Sequence, residues 1–347
     1  MRILLLPNGI VRAPRGRLPA CSALLTPAAS ARLSHLPDFD PDGLHTAIQD
    51  SRLEHLQLER GRFEGRIAHS ASTDSRIDWG AYRLSLLSRG ELSPDRITLT
   101  MAVGGQGDWR VHGREAAVGD VVVFAEGGEL LAVLPPQAQW LSLQLPRERL
   151  ENAGLVLPRC PVSQARRVSA GLAPSLAGML SDLAPVLSPA GLPAHTDPQP
   201  EPAAHALTLA HEQLCWALLS HLACHSPAGD TGSAFSPGER WQVVRRAEQY
   251  LRECDSASVR IEDLCRAACT SLSRLERAFR ETFGVSPRRY LTLLRLAAVR
   301  RELLRHEAGA SVTQVATRWG FFHLGRFGQD YKAQFGESPS QTLRAAG

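Results

Sequence analysis

The stretch "FGESPS" at residues 335–340 has a counterpart in "FGVSPR" at 283–288, with Phe335, Gly336, Ser338 and Pro339 falling 52 residues after Phe283, Gly284, Ser286 and Pro287. The likeness extends upstream. "RIEDLCRAACTSLSRLERAFRETFG" (260–284) and "SVTQVATRWGFFHLGRFGQDYKAQFG" (311–336) can be laid over each other. Ile261, Leu264 and Cys265 match Val312, Val315 and Ala316 at an offset of 51, and Leu275, Phe279 and Phe283 match Phe327, Tyr331 and Phe335 at 52. One residue has been added in the turn between the two blocks.

Each copy has the pattern of a short helix, a turn and a second helix. Apolar positions three and four apart bury one stripe, and a small residue, Cys265 or Ala316, sits where two crossing helices approach closely. Gly320 suits the left-handed residue of a tight inter-helix turn, whereas the first copy has Cys269 there, at a cost of about 1 kcal/mol if its φ is positive. After each second helix, Gly284 or Gly336 stops the helix, and Ser-Pro opens the next element with Pro at a favoured early position. Between the copies, "SPRRYLTLLRLAAVRRELLR" predicts a long amphipathic helix that holds the two units at fixed separation. Two such units would enter successive major grooves on one face of DNA, roughly 34 Å apart.

Charge placement agrees with this. Residues 239–347 hold 19 Lys+Arg against 12 Asp+Glu, net +7, while the remainder holds 20 against 23, net −3. A basic C-terminal domain on a mildly acidic partner is the asymmetry expected when one half meets a polyanion. Arginine frequency alone argues nothing, because 38 of the 39 basic residues are Arg along the whole chain and only Lys332 is lysine.

At 347 residues, 44% hydrophobic and 21% charged, the composition is that of a globular protein with two cores. No apolar run approaches the roughly 20 residues of a membrane helix, and Pro7, Asn8 and Gly9 interrupt the short apolar start that a signal peptide would need. The expectation is a cytoplasmic, nucleoid-associated protein without membrane contact. Seven cysteines at 21, 160, 215, 224, 254, 265 and 269, with no C-x-x-C spacing, fit a reducing compartment better than a disulfide framework or a zinc finger.

Residues 1–45 lack periodicity and are expected to be irregular. Residues 46–160 contain short β-forming runs such as "RITLTMAV", "WRVHG", "VVVF" and "QWLSLQL" between Gly-rich turns, which predicts an antiparallel sandwich or barrel able to enclose a small ligand. Residues 161–225 have helical periodicity at 163–187 and 203–225, interrupted by the Pro-rich "SPAGLPAHTDPQPEPA". A second linker, 226–238, leads into the basic domain at 239–347, and the two halves are expected to be joined flexibly.

The duplicated block, its spacing and its connector closely resemble the AraC/XylS family of bacterial transcriptional regulators over residues 239–344. The β-rich half is similar in layout to that family's sensor domain, a cupin-like antiparallel β-barrel followed by dimerising helices. The resemblance implies an α+β multidomain fold with two helix-turn-helix units at the C-terminus. It also implies a ligand-responsive regulator, an activator that contacts RNA polymerase, acting as a homodimer on promoter DNA with a small-molecule effector and no cofactor. Carried over residue by residue, it puts Ser273, Glu276, Arg277 and Arg280 on the groove-facing surface of the first recognition helix, and Leu324, Gly325, Arg326 and Gln329 on the second.

Arg277 is suited to bidentate contact with guanine and Glu276 to accepting from cytosine, whereas Leu324 offers apolar contact and Gly325 no side chain. The first unit should therefore supply base specificity, and the second should hold phosphates through Arg326, His323 and Lys332. The plain alternative for these arginines is a solvated helix face. Trp319 and Phe321 flank the second turn on its buried stripe and are assigned to the core. Alternation and aromatic character make Trp79, Tyr82, Trp109, Phe124 and Trp140 the candidate effector-pocket residues, with barrel core as the competing role.

No metal site is assigned. His221 and His225 are four apart, near His195, His205, His211, Cys215 and Cys224, but no third ligand stands at fixed spacing. Catalysis is not expected either: His112 stands alone without an H-x-H, and there is no G-x-S-x-G, P-loop or G-x-G-x-x-G after a strand.

Overall fold

The computed structural model describes residues 11–12, 30–152, 155–156, 165–169, 208, 210–219, 239–254, 257–305 and 311–346. In chain order the strands are β1 (Val11–Arg12), β2 (Ser30–Leu36), β3 (Arg52–Gln57), β4 (Gly65–Ala71), β5 (Arg76–Tyr82), β6 (Leu86–Glu91) and β7 (Ile97–Gly104). They continue with β8 (Trp109–Val111), β9 (Arg114–Ala116), β10 (Val121–Phe124), β11 (Glu129–Leu134), β12 (Ala138–Leu145), β13 (Leu155–Val156) and β14 (Ala165–Ser169). One antiparallel sheet has the order β14-β10-β7-β12-β5-β4-β2 and a second has β3-β6-β11-β8-β9, while β1 and β13 form a separate short ladder. The two large sheets enclose an apolar core, but they remain two sheets and do not close into one barrel.

Alternation along each strand sorts side chains between two cores. On β10, Val122 and Phe124 join the core between the sheets, whereas Val121 and Val123 point to the outer face of the seven-stranded sheet. That outer face is covered by Leu150 of α1 (Arg147–Asn152) and by Leu214, Cys215 and Leu218 of the helical segment 210–219, here α2.

Two expectations are corrected here. Ser30–Leu36, placed in an irregular segment, is a full edge strand paired along its length with β4, and Phe39 and Leu44 just after it are buried. Ala165–Ser169, placed in a helix, is a strand on β10, because the open edge of β10 supplies backbone partners that outweigh the helix preference of Ala and Arg. The sheet domain therefore begins before residue 46 and takes in residues beyond 160. The Pro-rich segment, the linker 226–238 and most of the expected dimerisation region lie outside the described residues.

The C-terminal half consists of α3 (Glu239–Glu253), α4 (Ile261–Ala267), α5 (Leu272–Phe283), α6 (Pro287–Leu304), α7 (Val312–Arg318), α8 (Leu324–Phe335) and α9 (Pro339–Ala346). Instead of a loose tether, the halves share one apolar cluster in which Leu56, Leu87 and Trp109 belong to the same core as Trp241, Tyr290 and Phe335. Arg89, on β6, sits at the centre of this junction. Its guanidinium donates to Glu54 at 2.8 and 3.0 Å and to the Tyr290 hydroxyl at 3.1 Å, and it pairs with the buried carboxylate of Glu248. Burial disfavours charge on Arg89, but Glu248, Tyr290 and Glu54 together more than offset this, so the guanidinium stays protonated.

Candidate nucleic-acid interface and effector cavity

The two copies fold with the same hydrogen bonds. In the first turn the N–H groups of Ala268, Cys269 and Thr270 donate to the carbonyls of Leu264, Arg266 and Cys265, and at an offset of 51 those of Trp319, Gly320 and Phe321 donate to Val315, Thr317 and Ala316. From the next helix onward the offset is 52: Leu275 to Ser271 and Gly284 to Arg280 correspond to Phe327 to His323 and Gly336 to Lys332. The added residue is thus Phe322, whose side chain is 75% exposed at the mouth of the second unit.

Cys269 has φ 49° and Gly320 has φ 81°, so both turns pass through the left-handed region. Gly284 and Gly336 are left-handed C-caps, and Ser286 Oγ accepts from the Arg289 N–H as the N-cap of α6. Trp319 is half-buried, with its indole N–H on Glu302 at 2.7 Å, and Phe321 packs on Phe327 with ring centroids 4.9 Å apart.

On α5, Leu275, Ala278, Phe279 and Phe283 are buried, which turns Ser273, Arg277 and Arg280 outward, with Glu276 half-buried among them. Arg277 Nε donates to Glu281 at 2.9 Å, and Arg280 pairs with Glu276 at 3.6 Å. The hydrogen bond from Arg277, with Arg240 adding to it, holds the Glu281 carboxyl below the usual carboxylate range. Exposed i,i+4 pairs of this kind are weak and screened by solvent, whereas a bidentate guanine contact contributes about 1–3 kcal/mol, so these pairs do not prevent the arginines from turning to a base. Beside α5 lies a groove of about 350 Å³ whose wall includes Arg240, Arg246, Arg274 and Arg277. Sequence patterning missed Arg240 and Arg246 because they precede the repeat; their signal is the exposed basic face of α3.

On α8, His323, Leu324, Gly325, Arg326, Gln329 and Lys332 are all exposed. Arg326 forms an i,i+4 ion pair with Asp330 at 3.8 Å. A side chain added at Gly325 or Gly328 would meet no atom within 4 Å. His323 makes no side-chain hydrogen bond to the helix start, in contrast with Ser271, which accepts from Arg274 at the start of α5.

The five candidate pocket residues divide. Tyr82, Trp109 and Trp140 line a cavity of about 60 Å³ between the two sheets, together with His55, Ser88 and Asp120. Trp140 lies against Gly80, its partner across the ladder, where an added Cβ would stand 2.3 Å from the indole. Phe124 is buried beyond this cavity against His112, 5.9 Å between ring centroids. Trp79 belongs to the core on the opposite face of the sheet. His55 was not anticipated; its signal is its parity with Leu53 on β3, both buried.

The histidines do not assemble into a metal centre: among the described residues no group of three or more His, Cys, Asp and Glu is placed to hold a metal ion. His211 contacts Ser75 at 2.9 Å and Ser70 at 2.7 Å, and His195, His205, His221 and His225 lie outside the described residues. No described helix is long and apolar enough to cross a membrane.

The helix-turn-helix domain family matches residues 264–345. Over 103 residues the chain is 38% identical to the "Probable thc operon regulatory protein" of Rhodococcus erythropolis, covering 29% of this chain and 31% of that one. Over 100 residues it is 36% identical to the "XylDLEGF operon transcriptional activator 1" of Pseudomonas putida, covering 28% and 30% respectively. Among solved structures it is similar to a probable AraC family transcriptional regulator from Rhodopseudomonas palustris, at 33% identity over 30% of this chain and 96% of that chain, with a TM-score of 0.29. The chain spans about a third of the length of these two curated relatives, and the shared part is the length of the duplicated domain.

Proposed function

The chain belongs to the AraC/XylS family of transcriptional regulators, and on that premise we propose that it activates transcription from promoters it recognises through its duplicated helix-turn-helix domain, under control of a small molecule bound in the β-rich half. The observation that carries this reading is the pair of outward faces on α5 and α8, each presented by a turn with the same hydrogen bonds. On α5 Arg277 and Glu276 read bases and Ser273 and Arg280 flank them; on α8 Arg326, His323 and Lys332 hold phosphates while Leu324, Gly325 and Gln329 lie against the groove. RNA polymerase contact, a homodimer formed through 161–225 and a cytoplasmic location complete the proposal. Catalysis has no place in it.

The route for control lies in β3 and β6. His55 and Ser88 line the cavity, and their chain neighbours Glu54 and Arg89 face the C-terminal half, where Arg89 holds Glu248 and Tyr290. A molecule that moves β3 or β6 from one side thus acts on the interdomain junction from the other, and an effector favouring one arrangement shifts the population toward it.

Genome-wide DNA binding by the full-length chain, followed by salt-titrated affinity on the best sites, tests the reading. The expected result is a recurring motif with tandem half-sites about one helical turn apart, preferred over random DNA by about a thousandfold or more. Weak, motif-free binding with a steep salt slope would reduce the basic domain to an electrostatic surface.

A further inference from the structure

The cavity between the sheets has a wall that is apolar over most of its extent, yet four residues on it carry a buried polar atom without a hydrogen-bond partner. These are His55 Nδ1, Tyr82 Oη, Trp109 Nε1 and Trp140 Nε1. All four side chains belong to residues less than one-tenth exposed. Tyr82 and Trp140 stand 6.2 Å apart between ring centroids, and the indole N–H lies near the phenol without reaching hydrogen-bond geometry. Buried donors are almost always satisfied in folded proteins, so unpaired donors gathered around one cavity ask for a partner that enters it.

The cavity wall also limits that partner's charge. Among the described residues no Arg or Lys lines it, and burial lowers the pKa of His55 to about 3, so the imidazole is neutral. Burial likewise raises the pKa of the Tyr82 hydroxyl, which keeps its proton. Among the described residues Asp120 is the one acidic residue on the wall, and its carboxylate accepts the Ala117 N–H at 2.8 Å. Size sets a further limit. At about 60 Å³, well under the about 150 Å³ of a cavity that takes a benzene ring, the space takes a molecule of only a few heavy atoms.

We infer that this cavity receives a small, uncharged, mostly apolar molecule carrying a hydrogen-bond acceptor such as a carbonyl oxygen, held by the indole N–H groups of Trp109 and Trp140 and the hydroxyl of Tyr82. The inference rests on the reading that the β-rich half binds the regulator's effector, and it names the effector's chemical class. The aromatic faces supply the apolar contact, and the donors supply discrimination, because a hydrocarbon of the same shape leaves them unpaired.

Calorimetric titration of the full-length chain at pH 7 with acetone, its hydrocarbon isostere isobutene, acetate and isopropylamine tests it. Acetone should bind about tenfold or more tighter than each of the other three, the ratio that one satisfied buried donor confers. Trp140→Phe and Tyr82→Phe should each remove most of that preference while changing isobutene affinity by less than about threefold, as expected when only a polar atom is lost. Trp79→Phe, on the other face of the sheet, should leave all four affinities unchanged. Equal binding of ketone and hydrocarbon, preference for the carboxylate or the amine, or no binding of any probe by the folded wild-type chain would overturn the inference. DNA affinity measured on the same preparation separates the two readings: ketone preference without sequence-specific DNA binding defeats the regulator proposal alone, and the reverse result defeats the cavity assignment alone.

Discussion

The two helix-turn-helix units share their turn hydrogen bonds, yet they meet the sheet domain by different chemistry. The first docks through charge and a histidine: Glu248 and Tyr290 close on Arg89, and Trp241 stacks on His112 with centroids 4.9 Å apart. The second docks through neutral groups and one arginine. Gln57 and Gln334 exchange two hydrogen bonds, each side-chain amide donating to the other's backbone carbonyl at 2.7 and 2.9 Å, and Phe39 stacks on Phe335. Arg300 donates to the Phe39 carbonyl and to Glu337 and lies 4.9 Å from the Phe335 ring. A duplicated fold fixes the internal hydrogen bonds of each copy, but it leaves the outer faces free to acquire separate roles. The first unit's attachment accordingly rests on a buried ion pair across the two halves, Arg89 with Glu248, and the second's on an amide exchange and an arginine bound to a backbone carbonyl.

The strongest way to break this asymmetry is to remove Arg89. In Arg89→Met, Glu248 is left buried with no cation, and loss of one partner of a buried pair costs about 3–5 kcal/mol. Hydrogen exchange should accelerate in 239–253 and 272–283 well before 324–335. A uniform acceleration across both units would mean that they are not attached independently.

Acid should act on the same side. Burial lowers the pKa of His112 to about 4, against a slight upward pull from its Glu129 contacts, and lowers that of His55 to about 3. Their unfolded values are near 6.5, so between pH 6.5 and 4 the unfolded chain binds more protons than the folded one. The stability contributed by these neutral rings is therefore full above about pH 6.5 and falls by roughly 3 kcal/mol for each ring as pH drops to 4. Exchange corrected for its intrinsic pH dependence should show the Trp241 contact loosening over that window while the Gln57–Gln334 contact holds. His112→Phe should flatten this part of the response, and an unchanged slope would assign it to other groups.

On the DNA side the contrast is between Arg277 and Arg326. Arg277→Ala should cost about 1–3 kcal/mol on the preferred operator and relax selection at one base pair, whereas Arg326→Ala should weaken all sequences alike and reduce the salt slope by about one. Affinities across single-base operator variants decide this. Equal, sequence-independent losses would end the division of labour between the units.

How much of this the sequence disclosed follows from the range over which each feature is encoded. Turn chemistry is local, so the left-handed Cys269, the glycine C-caps and the Ser-Pro helix starts could all be read from a few adjacent letters. The cavity was half legible: Tyr82, Trp109 and Trp140 stand out as aromatics, but Trp79 is an odd number of positions from Tyr82 on one strand, and strict alternation already puts the two on opposite faces. Ser30–Leu36 and Ala165–Ser169 have little apolar character of their own and become strands because a neighbouring edge offers partners. The docking was illegible for the opposite reason. Gln57 and Gln334 are 277 residues apart, and nothing in the letters around Arg89 distinguishes it from an exposed strand arginine.

The smallest expected effect concerns the one point where the first unit's fold is the poorer of the two. Cys269 holds φ 49° where the second unit has Gly320 at φ 81°. A side chain in the left-handed region costs about 1 kcal/mol, while glycine loses about 0.5–1 kcal/mol through the greater freedom of the unfolded chain. Cys269→Gly should therefore raise stability by between zero and about 0.5 kcal/mol, read as a shift in urea midpoint at constant slope. Gly320→Cys is the mirror experiment. The nearest atom to a Cβ there is the Ala257 carbonyl oxygen at 3.5 Å, so backbone strain is the main cost and the loss should match the gain in size with opposite sign. Because each change acts through the backbone of its own turn, the double variant should return close to the wild-type midpoint. A double variant well below that point would show that the two turns are coupled through α6, and the units would then no longer be separable even at their most local feature.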